Sequence, residues 1–297
     1  MAAGSLIQVV AAAGGSASTV YRQQKSGHIR GIEMTQSDPF KITEPTCISF
    51  SGGRTSAYML WRVLQSNGGL PEDAKVCFAN TGKEEESTLE FVRDCEANWG
   101  VKIHWLEYRA EAPKFNRVHF ETASRNGEPF EELIVKRKYL PNMVARFCTA
   151  ELKVLTIDRY VKSIGLDDYV SFVGIRADEP RRVAKMRLNK DIKLTPLADA
   201  GVTESSVWDF WNKQPFDLSL PKISGASNCD LCFLKGAGII MGLIAQKPER
   251  AVWWAAMEEK IDAKFRSDRP SYAQMMKFSQ DQQSLFTDET IPCYCGD

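Results

Sequence analysis

The chain has 297 residues, 43% hydrophobic and 26% charged, with 38 basic against 38 acidic side chains. That composition describes an ordinary globular protein, large enough for one sizeable α/β domain with a smaller appendage. A formal net charge of zero excludes any global electrostatic case for nucleic acid or membrane, and no apolar run approaches the roughly 18 residues that span a bilayer.

Residues 1–33 stand apart in composition. They are rich in Ala, Gly and Ser, with no acidic residue before Glu33. No positive charge precedes Leu6–Ala13, which makes a poor signal peptide, and Arg22, Lys25 and Arg30 leave a transit-like segment open. The simplest expectation is a disordered leader or an overlong start, with the protein proper beginning near Met34. From Thr46 to about Leu197, strand-like and helix-like segments alternate. Strands are expected at 46–50, 75–79, 101–108 and 169–175, and helices at 55–66, 84–98 and 149–163. Such alternation implies a parallel sheet with helices on both faces and a ligand at the carboxyl ends of its strands. Residues 109–145 read as an irregular insertion or lid. Beyond residue 200 the pattern turns helical, at 203–213 and then at 236–264 with a break near Pro248. The expected division is therefore 34–200 for a nucleotide-binding α/β domain and 201–297 for a helical, cysteine-bearing region.

The first strand runs into Ser51-Gly52-Gly53-Arg54-Thr55-Ser56 and then a helix. Two glycines let the backbone turn tightly and approach a ligand, while the helix start directs unpaired N–H groups at bound negative charge. Ser51 and Ser56 add hydroxyls. The alternative is an ordinary strand–turn–helix connection. Asn80-Thr81-Gly82 ends the second strand, where such folds hold ligands, and Glu84, Glu85 and Glu86 follow at a helix N-terminus that their charge suits.

Eight cysteines and three histidines are present. Cys47, Cys77 and Cys95 fall in apolar periodic segments and are expected as buried free thiols. Cys148 follows Arg146 and Phe147 at a helix start, a setting that favours the thiolate. Cys229 and Cys232 form a CxxC, and Cys293 and Cys295 lie near the C-terminus. No histidine is close in sequence, so a metal site would be all thiolate, zinc or a [4Fe–4S] cluster. The CxxC argues for a reducing compartment, hence a cytoplasmic location. A basic run, Arg176, Arg181, Arg182, Lys185, Arg187, Lys190 and Lys193, is either a solvated loop or a recognition surface for phosphate or sulfate.

In order along the chain, Ser-Gly-Gly-x-x-Ser, Asn-Thr-Gly, Arg-x-Cys, Gly174-Ile-Arg176, Pro196-Leu197 with Val207-Trp208, and the CxxC resemble the phosphoadenosine phosphosulfate (PAPS) reductase family. That family belongs to the PP-loop, adenine-nucleotide alpha-hydrolase-like superfamily, and the resemblance spans about residues 46–297. It implies nucleotide contacts from Ser49, Ser51, Gly52, Gly53, Arg54, Thr55, Ser56, Asn80, Thr81, Gly82, Gly174, Arg176 and Arg182. It also implies a [4Fe–4S] cluster on Cys148, Cys229, Cys232 and Cys293, with zinc as the alternative, and Cys295 as the nucleophile. Cys293 and Cys295 could exchange those roles. The sequence departs from the family in three places. Phe147 replaces the first of a tandem cysteine pair, the tail keeps only Cys-Gly of the family's ending, and Thr55 stands where ATP-cleaving relatives carry Asp. The activity implied is reduction of PAPS or APS to sulfite with a thioredoxin-type reductant. The alternatives are an ATP-dependent sulfurtransferase acting on tRNA or DNA, and a non-enzymatic nucleotide- or zinc-binding accessory protein.

Overall fold

The computed structural model describes residues 38–188 and 193–281, together with two short strands, β1 (Gln8–Val9) and β2 (Val20–Tyr21), which pair antiparallel. These strands belong to an N-terminal unit, residues 1–38, while the rest of the chain forms a second unit. The leader expected at 1–33 otherwise lies outside the described residues, as do Cys293, Cys295 and Lys190.

The second unit is built on a six-stranded sheet in the order β6-β5-β4-β3-β7-β8. β3 (Thr46–Ser49) pairs in parallel with β4 (Ala74–Asn80) on one side and β7 (Val170–Val173) on the other. β4 continues in parallel to β5 (Ile103–Tyr108), and β7 to β8 (Lys193–Leu194). Only β6 (Phe115–Val118) is antiparallel. The chain therefore winds from β3 towards β5, then crosses back to β7, so the strand order reverses beside β3. Crevices open at such a reversal, above the carboxyl ends of the strands.

Alternate residues along the strands feed two cores, as a pleated strand requires. Ile48, Val76, Phe78, Ile103, Trp105, Val170 and Phe172 face a layer made by α1 (Arg54–Asn67), α2 (Glu86–Trp99) and α7 (Glu204–Trp211). Both α1 and α2 end on left-handed glycines, Gly68 and Gly100, the common way to close the last turn. Cys47, Cys77, Ala79 and Leu106 face α4 (Thr156–Ser163) on the other side. Short α5 (Pro180–Arg187) and α6 (Pro196–Asp199) flank β8. The third core joins α3 (Glu128–Arg137), α8 (Ala237–Gln246), α9 (Arg250–Ile261) and α10 (Tyr272–Asp281) around the CxxC segment.

Several expectations from sequence need adjustment. Residues 109–145 contain β6 and α3 rather than irregular chain; β6 is an edge strand whose middle residues are exposed, so it shows no alternating signal. The helix expected at 149–163 is a π-helix over Cys148–Leu155 continued by α4. The C-terminal layer does not begin at 201, because Val202, Val207, Trp211 and Leu218 pack into the sheet core. Cys47, Cys77 and Cys95 are buried free thiols, as expected.

Candidate functional site

The turn after β3 closes on itself through serine. The Ser51 N–H donates to Ser56 Oγ at 3.1 Å, the two hydroxyls lie 2.9 Å apart, and Ser56 Oγ donates to the Gly53 carbonyl at 3.0 Å. Gly52 has φ +80°, and a Cβ there would lie 2.7 Å from Thr88 Cγ2; neither the conformation nor the space suits another residue. Gly53 is the N-cap of α1 and has no side chain to occupy the first-turn N–H groups, the arrangement that receives anions.

Arg54 turns aside from this cradle. Its guanidinium forks onto Asp217 at 2.7 and 2.9 Å, bonds the Leu218 carbonyl, and lies 4.4 Å from the Trp208 ring centre. Thr55 Oγ1 accepts from Arg176 Nη1 at 3.3 Å, joining the loop to the end of β7. Gly174 lets that end pass close by, since a Cβ would stand 3.0 Å from Ser56 Cα. Arg176 also reaches Asp178 at 3.0 Å and Glu204 at 3.6 Å. Burial works against the Asp178 carboxylate, but the Glu204 N–H and the Arg176 guanidinium together hold it below its ordinary range. Arg182 bonds Glu179 at 2.5 Å. Ser49 is the last residue of β3, in register with Cys77 and Val173.

Asn80, fully buried, acts as a latch. Its Nδ2 donates to Glu107 Oε1 at 2.7 Å and to the Ser124 carbonyl at 2.8 Å, and its Oδ1 accepts the Gly82 N–H. Gly82 (φ +76°) packs directly on Gly127 and Pro129. The acidic triplet that follows is not simply a helix-dipole feature. α2 starts at Glu86; Glu84 pairs with Lys153 at 3.2 Å, and Glu85 with Arg250 at 2.6 Å. Burial pushes the Glu85 carboxyl up, against the pull of Arg250.

This segment is where the CxxC docks. Glu84 and Cys229 form an antiparallel β-bridge, with Glu85 N–H donating to the Asn228 carbonyl at 2.7 Å and Asp230 N–H to the Lys83 carbonyl at 2.8 Å. Asn228 Nδ2 donates to the Ser51 carbonyl at 3.1 Å, tying the cysteine turn to the glycine loop. The turn is itself held rigidly. Lys235, 1% exposed, bonds the carbonyls of Cys229 and Asp230; Tyr272 Oη donates to the Leu231 carbonyl at 2.6 Å; Arg269 takes those of Phe233 and Lys235. Buried carbonyls need such partners.

Cys148 and the CxxC pair Cys229 and Cys232, far from it in sequence, line one cavity together with Thr81, Lys83, Arg146, Lys153 and Trp254. Lys153 Nζ lies 3.9 Å from Cys229 Sγ. Three thiols among cations are the donor chemistry of a thiolate-bound centre. Among the described residues, no group of three or more Cys, His, Asp or Glu side chains stands at metal-ligand spacing. The chemistry of the donor set nonetheless suits a thiophilic metal or an iron–sulfur cluster.

The structure thus sets Thr81 in the cavity of the three cysteines, joins Ser51 to the CxxC turn through Asn228, and ties Arg176 to Thr55. Asn228, Lys83, Lys153 and Lys235 were not singled out from sequence; the one usable signal was that Asn228 immediately precedes the CxxC.

Residues 45–218 match the family model for the phosphoadenosine phosphosulfate reductase domain, and the chain belongs to that family. Among relatives, an uncharacterized nin region protein, ORF290, of Escherichia phage lambda is 32% identical over 202 residues, 63% of this chain and 65% of that protein. An uncharacterized protein of Methanocaldococcus jannaschii is 29% identical over 199 residues, 65% of this chain and 37% of that protein. The chain thus spans less than two thirds of the length of each. A crystal structure of PAPS reductase from Candida auris, in complex with phosphate, aligns over 61% of this chain and 81% of its own, with 15% identity and a TM-score of 0.39.

Proposed function

We propose that the protein is a sulfonucleotide reductase, taking PAPS or APS to sulfite. The observation that carries this reading is the hydrogen bond from Asn228 to Ser51, together with the Glu84–Cys229 bridge. These contacts set a cysteine turn against a loop built for phosphate. In the proposed reaction the Cys295 thiolate bonds to the sulfonate sulfur, the bond from that sulfur to the phosphate oxygen breaks, and the nucleotide leaves with the electron pair. One thiolate of a thioredoxin-type dithiol then attacks Cys295 Sγ, sulfite departs, and the second thiol closes the donor's disulfide, returning Cys295. Ser51–Ser56 bind the anionic groups of the nucleotide, and Arg176 braces the loop through Thr55. Cys148, Cys229 and Cys232, with Cys293, are the residues that would hold a [4Fe–4S] cluster or zinc, whose metal ions would offset part of the thiolate charge.

Calorimetry with PAPS, APS and ATP, followed by sulfite measurement with a dithiol donor, tests the proposal. Binding of PAPS or APS with sulfite release is expected, and Cys295→Ser should abolish turnover while leaving nucleotide affinity and metal content in place. ATP-selective binding with pyrophosphate release would replace this reading with an ATP-dependent sulfurtransferase. That second reading has its own support in the exposed Arg181 and Lys185 on α5, which suit a nucleic-acid substrate.

A further inference from the structure

Asn228 is 1% exposed and belongs to two structures at once. Its side-chain N–H holds the Ser51 carbonyl, and its own carbonyl takes the Glu85 N–H at 2.7 Å. The Glu85 carbonyl in turn takes the Thr88 N–H at 2.9 Å, and the Thr88 methyl is the group that a Cβ on Gly52 would strike. A closed circuit therefore runs from Ser51 through Asn228, Glu85 and Thr88 back to Gly52, the residue after Ser51. Three polar atoms on or beside this circuit are buried without a hydrogen-bond partner among the described residues: Asn228 Oδ1, the Ser227 hydroxyl and the Thr88 hydroxyl. Buried polar atoms of this kind are costly unless something fills them.

Cys229 follows Asn228 directly, and its turn cannot absorb a displacement locally. The carbonyls of Cys229, Asp230, Leu231 and Phe233 are all held by Lys235, Tyr272 and Arg269. A shift at Asn228 must then move the turn as one body.

We propose that Asn228 is a positioning residue through which the occupied glycine loop and the Cys229–Cys232 turn constrain each other. A nucleotide that orders Ser51–Ser56 thereby fixes the turn that carries Cys229 and Cys232. By linkage, whatever the cysteines hold tightens nucleotide binding by the same factor. This rests on the reading of Ser51–Ser56 as a phosphate loop.

Hydrogen–deuterium exchange of the full-length protein, with and without saturating ATP or PAPS, tests it without reference to turnover or to the metal state. In the wild type, exchange is expected to slow in both 51–56 and 228–234, by about five-fold or more for a coupling of ordinary size. Asn228→Asp keeps the shape but has no N–H for the Ser51 carbonyl. In that variant the slowing should persist at 51–56 and fall below about two-fold at 228–234; Asn228→Ala should behave alike. Equal slowing of both segments in wild type and variants would overturn the coupling, as would a wild-type response confined to 51–56. The wild-type measurement alone decides the matter if the variants do not fold. No response at 51–56 to either nucleotide would overturn the phosphate-loop reading itself, and the coupling with it.

Discussion

Gly52 sits at φ +80° with the Thr88 methyl 2.7 Å from where a Cβ would be. Gly52→Ala therefore combines backbone strain with a clash, and each is of the order of 1–3 kcal/mol. Thermal unfolding should show a loss of about 2–6 kcal/mol on those principles, and calorimetry a nucleotide affinity weakened at least ten-fold; unchanged values would mean that the loop is not held as described. His104 makes a different residue-scale prediction. Its Nδ1 lies 2.7 Å from Tyr160 Oη, and burial first, then Lys102, Arg117 and Lys75, lowers its pKa to about 4. The fold favours the neutral ring, so this stabilisation is complete above about pH 6.5 and is lost as the pH falls through about 4. After allowance for solvent screening it amounts to about 2 kcal/mol. Urea unfolding between pH 4 and 7 should show that slope in the wild type and a flatter one in His104→Gln, whose amide can still accept from Tyr160.

Among elements, the CxxC turn depends most on partners far away in the chain. Lys235 contributes its ammonium to two carbonyls of the turn at 1% exposure. Lys235→Met removes both donors while keeping the apolar stem, and each orphaned carbonyl costs about 1–3 kcal/mol. A destabilisation of about 2–6 kcal/mol is expected on that principle, with faster amide exchange concentrated at 228–235; a uniform rise in exchange would instead mean that Lys235 supports the whole fold. Strands β3, β4, β5 and β7 and helices α1, α2 and α7–α9 were legible because alternation and helical spacing are local signals. The π-helix over Cys148–Leu155 was not, because a wider helix keeps an apolar stripe and differs only in hydrogen-bond register. Strand β6 escaped because its neighbours, not its composition, make it a strand.

At the scale of the whole molecule, the prediction concerns the cavity lined by three cysteines. Anaerobic purification followed by iron, sulfide and zinc analysis should give a metal bound through thiols, and Cys232→Ser should release it. Iron with matching sulfide would identify an iron–sulfur cluster, and zinc without iron the alternative. The order of motifs, from Ser51 through Asn80 and Cys148 to Cys232, was enough to identify the family, because a glycine-rich loop, its helix and the strand ends are each written in a few contiguous residues. The sequence also marked Cys47, Cys77 and Cys95 as core, since apolar periodicity surrounds them. Only the tertiary structure decided that Arg54 faces Asp217 and that Glu84 and Glu85 face Lys153 and Arg250. Only it could show that Asn228 grips Ser51 across 177 residues of chain. Those pairings depend on how far the chain folds back on itself, and local spacing carries no record of that distance.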